Sequence, residues 1–233
     1  MPASENINSA DKNLSIVVPV LNDGACLKKL LEQLTNFAGE IIVVDGGSSD
    51  DSVDIAQSLG ATVIHSEAGR SRQMNRSAEA ASRPVLLFLH SDSDLPQHFS
   101  ALIEGAMRGN KFHWGRFDVR LSGKAPMLRI VEWMMNNRSA LSGICTGDQG
   151  IFVKRDIFLQ LGGFPQIELM EDIAFSKKMP RRPYRIRHKL VTSSRRWERN
   201  GVLKTIALMW LLRFRFFMGA DPKLLAKQYG QAR

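Results

Sequence analysis

Short apolar runs alternate with amphipathic stretches through the first ninety residues. LSIVVPVL (14–21) is apolar and β-rich, and CLKKLLEQL (26–34) places Leu27, Leu30, Leu31 and Leu34 on one helical face. EIIVVDGGSSDDS (40–52) is a second buried strand that breaks at Asp45-Gly46-Gly47. Ser48 or Ser49 is placed to cap the helix around DSVDIAQSLG, and Gly60 ends it. ATVIHSE (61–67) predicts a third strand, GRSRQMNRSAEAAS (69–82) a loop entering a helix, and VLLFLH (85–90) a fourth strand.

Strand and helix at this rhythm predict an α/β fold, a mostly parallel sheet with helices on both faces. Ligands of such sheets sit outside the carboxyl ends of the strands. That rule selects residues 20–23, 45–49, 67–72 and 90–94, each polar directly after an apolar run. The second half is less regular. HWGRFDVRL (113–121) predicts a strand, LRIVEWMMNNRSAL (128–141) a helix, and DQGIFVKRDIFLQLGGF (148–164) a strand, a helix and a Gly-Gly stop.

Composition is that of a globular protein, with 44% hydrophobic and 24% charged residues among 233. Cys26 and Cys145 are too few for a disulfide framework and lack metal-site spacing, which predicts two free thiols in a reducing compartment. The polar start MPASENINSADKN has no apolar h-region and reads as a flexible tail over 1–13. Charge changes the picture more. The net charge is +9, yet residues 173–233 hold 16 Lys and Arg against Glu198 and Asp221, while the remainder is mildly acidic. A basic tail on an acidic body predicts an anionic partner.

Four places carry candidate chemistry. Asp45, at a strand end, suits hydrogen bonds from a base or ribose and equally suits a turn. Gly46 and Gly47 permit close backbone approach. Neither a GxGxxG nor a Walker A sequence is present. Arg70 and Arg72 lie near a predicted helix N-terminus, where anions are favoured. Asp92 and Asp94 point the same way in extended backbone and repel unless a cation joins them, a role for Mg²⁺ or Mn²⁺. Glu171-Asp172 opens a helical pattern in LMEDIAFSKKM, as dipole-favoured acids or as a general base.

SIVVPVLND, IIVVDGGSSDDS, the aspartates after LLFLH, GDQGIFVKRDIFLQLGGFP and LMEDIAFSKKM resemble the family 2 glycosyltransferases over about residues 14–180. GRSRQMN (69–75), WGRFDV (114–119) and TSSRRWERNGVLKTI (192–206) are similar to a bacterial subfamily associated with radical-SAM genes. The resemblance implies a GT-A fold over 14–200, a nucleotide-diphospho-sugar donor, Mg²⁺ or Mn²⁺, and inversion at the anomeric carbon. It places Pro19, Asp45, Arg70, Asn75 and Asp92 on the nucleotide side. Asp148 and Gln149 line the sugar and acceptor side, and Asp172 is the base with Glu171 beside it. Two metal registers stay open. The family commonly has Asp directly after the strand; here His90 stands there, so His90-x-Asp92 competes with Asp92-x-Asp94.

The tail forms a predicted helical extension over 201–233. IALMWLLRFRFFMG (206–219) is apolar on several faces and too short to span a bilayer. It suits an anionic membrane interface with Arg213 and Arg215 reaching phosphates, a lipid-linked acceptor, and a cytoplasmic protein peripheral to the inner membrane face. A core helix or an oligomer contact is the competing reading. Nucleic-acid binding matches the charge, yet no recognised nucleic-acid motif occurs. A sugar-phosphate nucleotidyltransferase would share the sheet, but its Gly-rich N-terminal signature is missing.

Overall fold

The computed structural model describes residues 9–231. Seven strands form one sheet in the order β3-β2-β1-β4-β6-β5-β7. Strands β1 (Leu14–Val20), β2 (Glu40–Asp45), β3 (Thr62–His65) and β4 (Val85–Phe88) are mutually parallel. Between them run helices α1 (Gly24–Gln33), α2 (Ser52–Ser58) and α3 (Arg70–Ala80). Strands β1 and β2 are almost wholly buried, as expected when helices cover both sheet faces.

Beyond β4 the sheet becomes mixed. Strand β6 (Ile151–Lys154) runs antiparallel to β4 and to β5 (Trp114–Leu121). Strand β7 (Tyr184–Thr192) pairs parallel with β5, with an irregularity between Phe117 and Asp118. Helices α4 (Phe99–Met107), α5 (Pro126–Ser142), α6 (Arg155–Gln160) and α7 (Glu171–Lys178) complete the layers. Three helices follow β7: α8 (Arg195–Asn200), α9 (Val202–Phe217) and α10 (Pro222–Gln231).

Core composition follows the apolar periodicity. Leu27, Leu30, Leu31 and Leu34 pack with Ile16, Val18 and Val43 on one face. Met74, Phe88, Phe158, Phe164 and Phe175 fill the other, and Phe164 and Phe175 lie 4.7 Å apart between ring centroids. A polar network docks α5 on β5. Asn136 donates to the Val119 carbonyl at 3.0 Å and accepts from its N–H at 2.8 Å, while Glu132 accepts from the Leu121 N–H at 2.6 Å. Fully buried Arg116 pairs with Asp118, which also takes two 2.8 Å bonds from Arg185 on β7. The WGRFDV stretch is therefore a docking element.

Several expectations change. Strand β7 lies in the stretch read as a basic tail. Its Arg187, His188 and Lys189 are exposed on an edge strand, which suppresses further pairing and hides the strand signal. Ser48 and Ser49 do not cap α2; the helix begins at Ser52, where Asp50 accepts from the Ser52 N–H at 3.1 Å. Of the flexible tail predicted over 1–13, residues 1–8 lie outside the described residues, while Ala10 and Asp11 are buried, and Asp11 accepts from the Ala38 N–H at 3.2 Å. The helices after residue 200 share cores with the sheet. Leu212 and Leu225 pack on Met170 and Ile173, and Val202 and Ile206 against Leu128 and Val131. Among the described residues, no helix is long and apolar enough to cross a membrane.

Candidate active site

Each parallel strand ends in a loop that is tied to its neighbour before any ligand arrives. Buried Asp45 accepts from the Gly47 N–H at 3.0 Å and the Ser48 N–H at 3.0 Å. Burial alone would raise its pKa, but the Ser48 and Gly47 hydrogen bonds outweigh it and hold the carboxyl below its ordinary value. The turn that Asp45 could make is the turn it makes. Asn22, at a positive φ of 52°, accepts from the Ser49 N–H at 2.8 Å and donates its own N–H to the Ser48 hydroxyl at 2.9 Å. Buried Gln73, from α3, donates its side-chain amide to the carbonyls of Val20 at 2.9 Å and Val44 at 2.7 Å. Partly buried Pro19 lies one residue before that clamp, opposite Val44.

The two arginines of the 69–72 loop diverge. Arg72 forms a surface pair with Glu67 at 2.8 Å. Arg70 turns into the crevice, where one guanidinium nitrogen contacts His90 Nε2 and Nε lies 3.6 Å from Glu171 Oε1. A guanidinium only donates, so His90 Nε2 is the acceptor and the ring proton sits on Nδ1. That nitrogen faces Asp148 Oδ1 at 3.6 Å. Burial, with the charges of Arg70 and Arg196 adding, pushes the imidazole well below its ordinary pKa. Neutral His90 thus has one nitrogen committed to Arg70 and the other protonated.

Gly147 closes this corner. Its N–H donates to Asp172 Oδ2 at 2.9 Å, and a Cβ there would stand 2.5 Å from Arg70 Nη2 and 2.7 Å from His90 Nε2. Asp172, in the first turn of α7, also accepts from the Ile173 N–H at 2.7 Å through Oδ1. Glu171 is buried; burial is the main cause that raises its pKa, and Asp172 adds to it against the attraction of Arg70. A narrow cavity joins these groups, lined by Arg70, His90, Gly147, Glu171 and Asp172 over a floor of Met74, Phe88 and Phe164.

Asp92 follows His90 by two residues. Its Oδ2 is 3.6 Å from Arg195 Nη2, which is 3.8 Å from Asp23 Oδ1 and 3.1 Å from Cys26 Sγ. Its Oδ1 is buried with no hydrogen-bond partner. Burial first, then the charge of Asp148, raises the Asp92 pKa. Asp94 is engaged elsewhere: it pairs with Lys29 at 3.2 Å, and its backbone bridges to Val191. Among the described residues, no group of three or more His, Cys, Asp or Glu side chains is arranged to hold a metal ion. The unpartnered Asp92 oxygen, with Asp148 as electrostatic neighbour, fits a cation that takes its other ligands from a bound anion.

Two sequence expectations find scaffold roles. Asn75 donates to the Phe164 carbonyl at 2.8 Å and accepts from the Phe164 N–H at 2.9 Å, so its amide clasps α3 to the loop before α7. Fully buried Gln149 accepts from the Thr146 N–H at 3.2 Å and closes a capping box around the 3-10 turn Gly147–Gln149. That turn presents Asp148 outward. Sequence reasoning missed Arg195 and Gln73. Arg195 lies inside the TSSRRWERNG cluster, but nothing in that cluster singles out one arginine.

Known proteins place this architecture. The family described as Glycosyl transferase family 2 matches residues 15–153. The uncharacterized glycosyltransferase YibD of Escherichia coli (strain K12) is 32% identical over 112 residues, 43% of this chain and 32% of that protein. The chain thus spans only about a third of that relative. Among solved structures, S. aureus TarS 1-349 in complex with UDP-GlcNAc aligns with a TM-score of 0.63 at 16% identity, covering 78% of this chain and 58% of that one. Glucosyl-3-phosphoglycerate synthase from Mycobacterium tuberculosis, in complex with Mg²⁺ and UDP, aligns with a TM-score of 0.56 at 20% identity, over 81% of this chain and 73% of that one. These likenesses establish the fold as GT-A-type. With most of the chain, from β1 through β6, inside the family match, the protein belongs to glycosyl transferase family 2.

Proposed function

We propose that the chain transfers a sugar from a nucleotide-diphospho-sugar to an acceptor hydroxyl, with inversion and with Asp172 as general base. The observation that carries this reading is the placement of Asp172. Its carboxylate is held at the cavity mouth by the Gly147 N–H, against the Arg70–His90 pair and at the carboxyl end of the sheet. In the step, Asp172 takes the acceptor O–H proton as that oxygen attacks the anomeric carbon. The bond from that carbon to the diphosphate oxygen breaks opposite, and its electron pair leaves with the nucleoside diphosphate.

The donor nucleotide rests over the β1 and β2 loops, between Pro19 and Asp45, with Arg70 directed at the diphosphate. Glu171 orients Arg70 from its buried position. His90 positions: it accepts from Arg70 and directs its Nδ1 proton at Asp148. Asp92 and Asp148 hold Mg²⁺ or Mn²⁺ in this reading. When bound, such an ion supplies Lewis-acid stabilisation of the leaving diphosphate. The UDP-GlcNAc and UDP complexes of the two structural neighbours favour a UDP-sugar as the first donor to try. The likeness to a radical-SAM-associated subfamily leaves the acceptor unspecified.

The test pairs wild type with Asp172→Asn, using UDP-GlcNAc and UDP-glucose with Mn²⁺. The variant is expected to bind UDP as the wild type does and to lose about 10²–10⁴-fold in donor turnover. Full turnover in Asp172→Asn removes the base from this role.

Membrane association is the second part of the proposal. Helix α9 exposes Leu203, Trp210 and Phe214, with Met218 just past its end, and the adjacent α5 exposes Ile130 and Trp133 at 58% and 66%. The α9 part of this apolar surface lies in the basic C-terminal segment, which suits an anionic membrane interface. Flotation with phosphatidylglycerol vesicles is expected for wild type and lost in Trp210→Ser/Phe214→Ser. Equal flotation of both would assign the patch another use.

A further inference from the structure

Two arginines remain outside the donor site. Arg138, near the end of α5, and Arg213, in the middle of α9, lie on two helices that touch each other, and both sit in the field of Asp172. Nε and Nη2 of Arg138 and Nε of Arg213 are buried with no hydrogen-bond partner. Buried guanidinium nitrogens are expensive to leave unsatisfied. Mutual repulsion makes the pairing worse, since each guanidinium lies in the field of the other. The carboxylates that face them are Asp172 for both, with Asp148 also near Arg213. Burial and that repulsion bring the Arg138 pKa down to about 10, so it still carries its charge at neutral pH.

The amphipathic pattern of α9 suggested Arg213 would reach outward to a membrane. It turns inward instead, while Trp210 and Phe214 stay exposed. A helix that buries an arginine and exposes a tryptophan and a phenylalanine has inverted the usual preference. That inversion makes sense where the buried side serves a ligand. Two guanidinium forks with open donors suit the oxygens of a phosphate group, which takes bidentate bonds and up to two charges. A carboxylate has two oxygens, enough for one fork, and would leave the other without a partner.

We propose that Arg138 and Arg213 form an acceptor subsite for a phosphate group, so that the acceptor carries a phosphoryl group close to the hydroxyl that Asp172 deprotonates. The inference rests on the proposed base role of Asp172 and adds the substrate class. A soluble sugar or polyol phosphate and a lipid phosphate headgroup share this chemistry.

Calorimetric titration of the full chain saturated with UDP and Mn²⁺ tests it, with glycerol 3-phosphate as probe and glycerol as neutral control. Wild type is expected to bind glycerol 3-phosphate and not glycerol. Arg138→Gln and Arg213→Gln are each expected to weaken binding at least about tenfold. Arg138→Lys and Arg213→Lys keep the charge without the fork, weaken binding less, and carry the test if the Gln variants fail to fold. A parallel arm measures flotation with phosphatidylcholine vesicles containing phosphatidic acid. Sensitivity to the variants in solution assigns a soluble acceptor, and sensitivity only on vesicles assigns a lipid headgroup. Binding indifferent to all four variants in both arms overturns the subsite. Glycerol 3-phosphate binding that UDP abolishes also overturns it, because the arginines would then serve the donor diphosphate. UDP affinity, read in the same samples, reports the donor reading separately: its absence sinks that reading and leaves the phosphate arms interpretable.

Discussion

Arg195 Nη2 stands 3.6 Å from Asp92 Oδ2, so a helix from the basic C-terminal segment sets its charge against the acid that follows β4. The same guanidinium approaches Asp23 and Cys26 from the β1 loop. It occupies the neighbourhood in which a divalent cation is proposed to bind, and the two compete for Asp92. Arg195→Ala is therefore expected to tighten Mn²⁺ binding without nucleotide. The gain should be about two- to five-fold, the scale of an exposed ion pair. Free Mn²⁺ measured by electron paramagnetic resonance reads it directly. Weaker Mn²⁺ binding in the variant would mean that Arg195 supports the cation site instead of blocking it.

Gly147→Ala should damage the site more than the fold. The new Cβ meets the His90 ring and the Arg70 guanidinium, so the pair that faces the donor must separate. Overpacking of this kind costs about 1–3 kcal/mol. A melting temperature lower by several degrees is expected, together with a loss of donor turnover larger than stability explains. Unchanged turnover would show that the Arg70–His90 contact is not needed.

Asn75→Ala should act in the opposite sense. It leaves the Phe164 N–H and carbonyl without their amide partner, at about 1–3 kcal/mol for each buried group left unpaired. Thermal unfolding should shift clearly while UDP affinity at 20 °C stays within about threefold, the free-energy scale of a minor contact. A tenfold loss of UDP affinity without destabilisation would return Asn75 to the nucleotide.

The thiols provide a pH-dependent check on packing. Burial pushes the Cys145 thiol up to about 12, and burial together with Asp23 also raises Cys26. The reactive thiolate grows as pH rises toward the pKa, so at pH 8 it is a minute fraction at Cys145. Folded protein treated with iodoacetamide at pH 8 should leave Cys145 unmodified by mass spectrometry and label Cys26 slowly. Guanidinium chloride should release both. Rapid labelling of Cys145 in the folded chain would mean that the α5–α7 region opens.

The sequence revealed the parallel half of the sheet because each of its strands is a continuous apolar run that ends abruptly in polar residues. That punctuation drew attention to Asp45, Arg70, His90 and Asp92, and the acidic start of a helical pattern to Asp172. Strand β7 was not, because an edge strand presents charge to solvent and so resembles a basic tail. Arg195 and Arg138 could not be singled out either, and Arg213 was picked out only for a membrane surface. Their significance lies in which carboxylates they meet across the fold, and a chain with 32 Lys and Arg gives no local signal for that. Asn75 shows the converse. Its position fits a binding motif, but both ends of its amide are already committed to the Phe164 backbone, whereas Gln149 commits only its amide oxygen.

Gln73 bears on the energetics of the first encounter with a ligand. One side-chain amide bonds the last carbonyl of β1 and the next-to-last of β2, so the floor of the crevice is cross-braced in the free protein. A donor that docks there need not freeze two strand ends as it binds, and more of its contact energy survives as affinity. Discrimination among nucleotides is then set by the shape of the crevice before contact, in the manner of a mould rather than a glove.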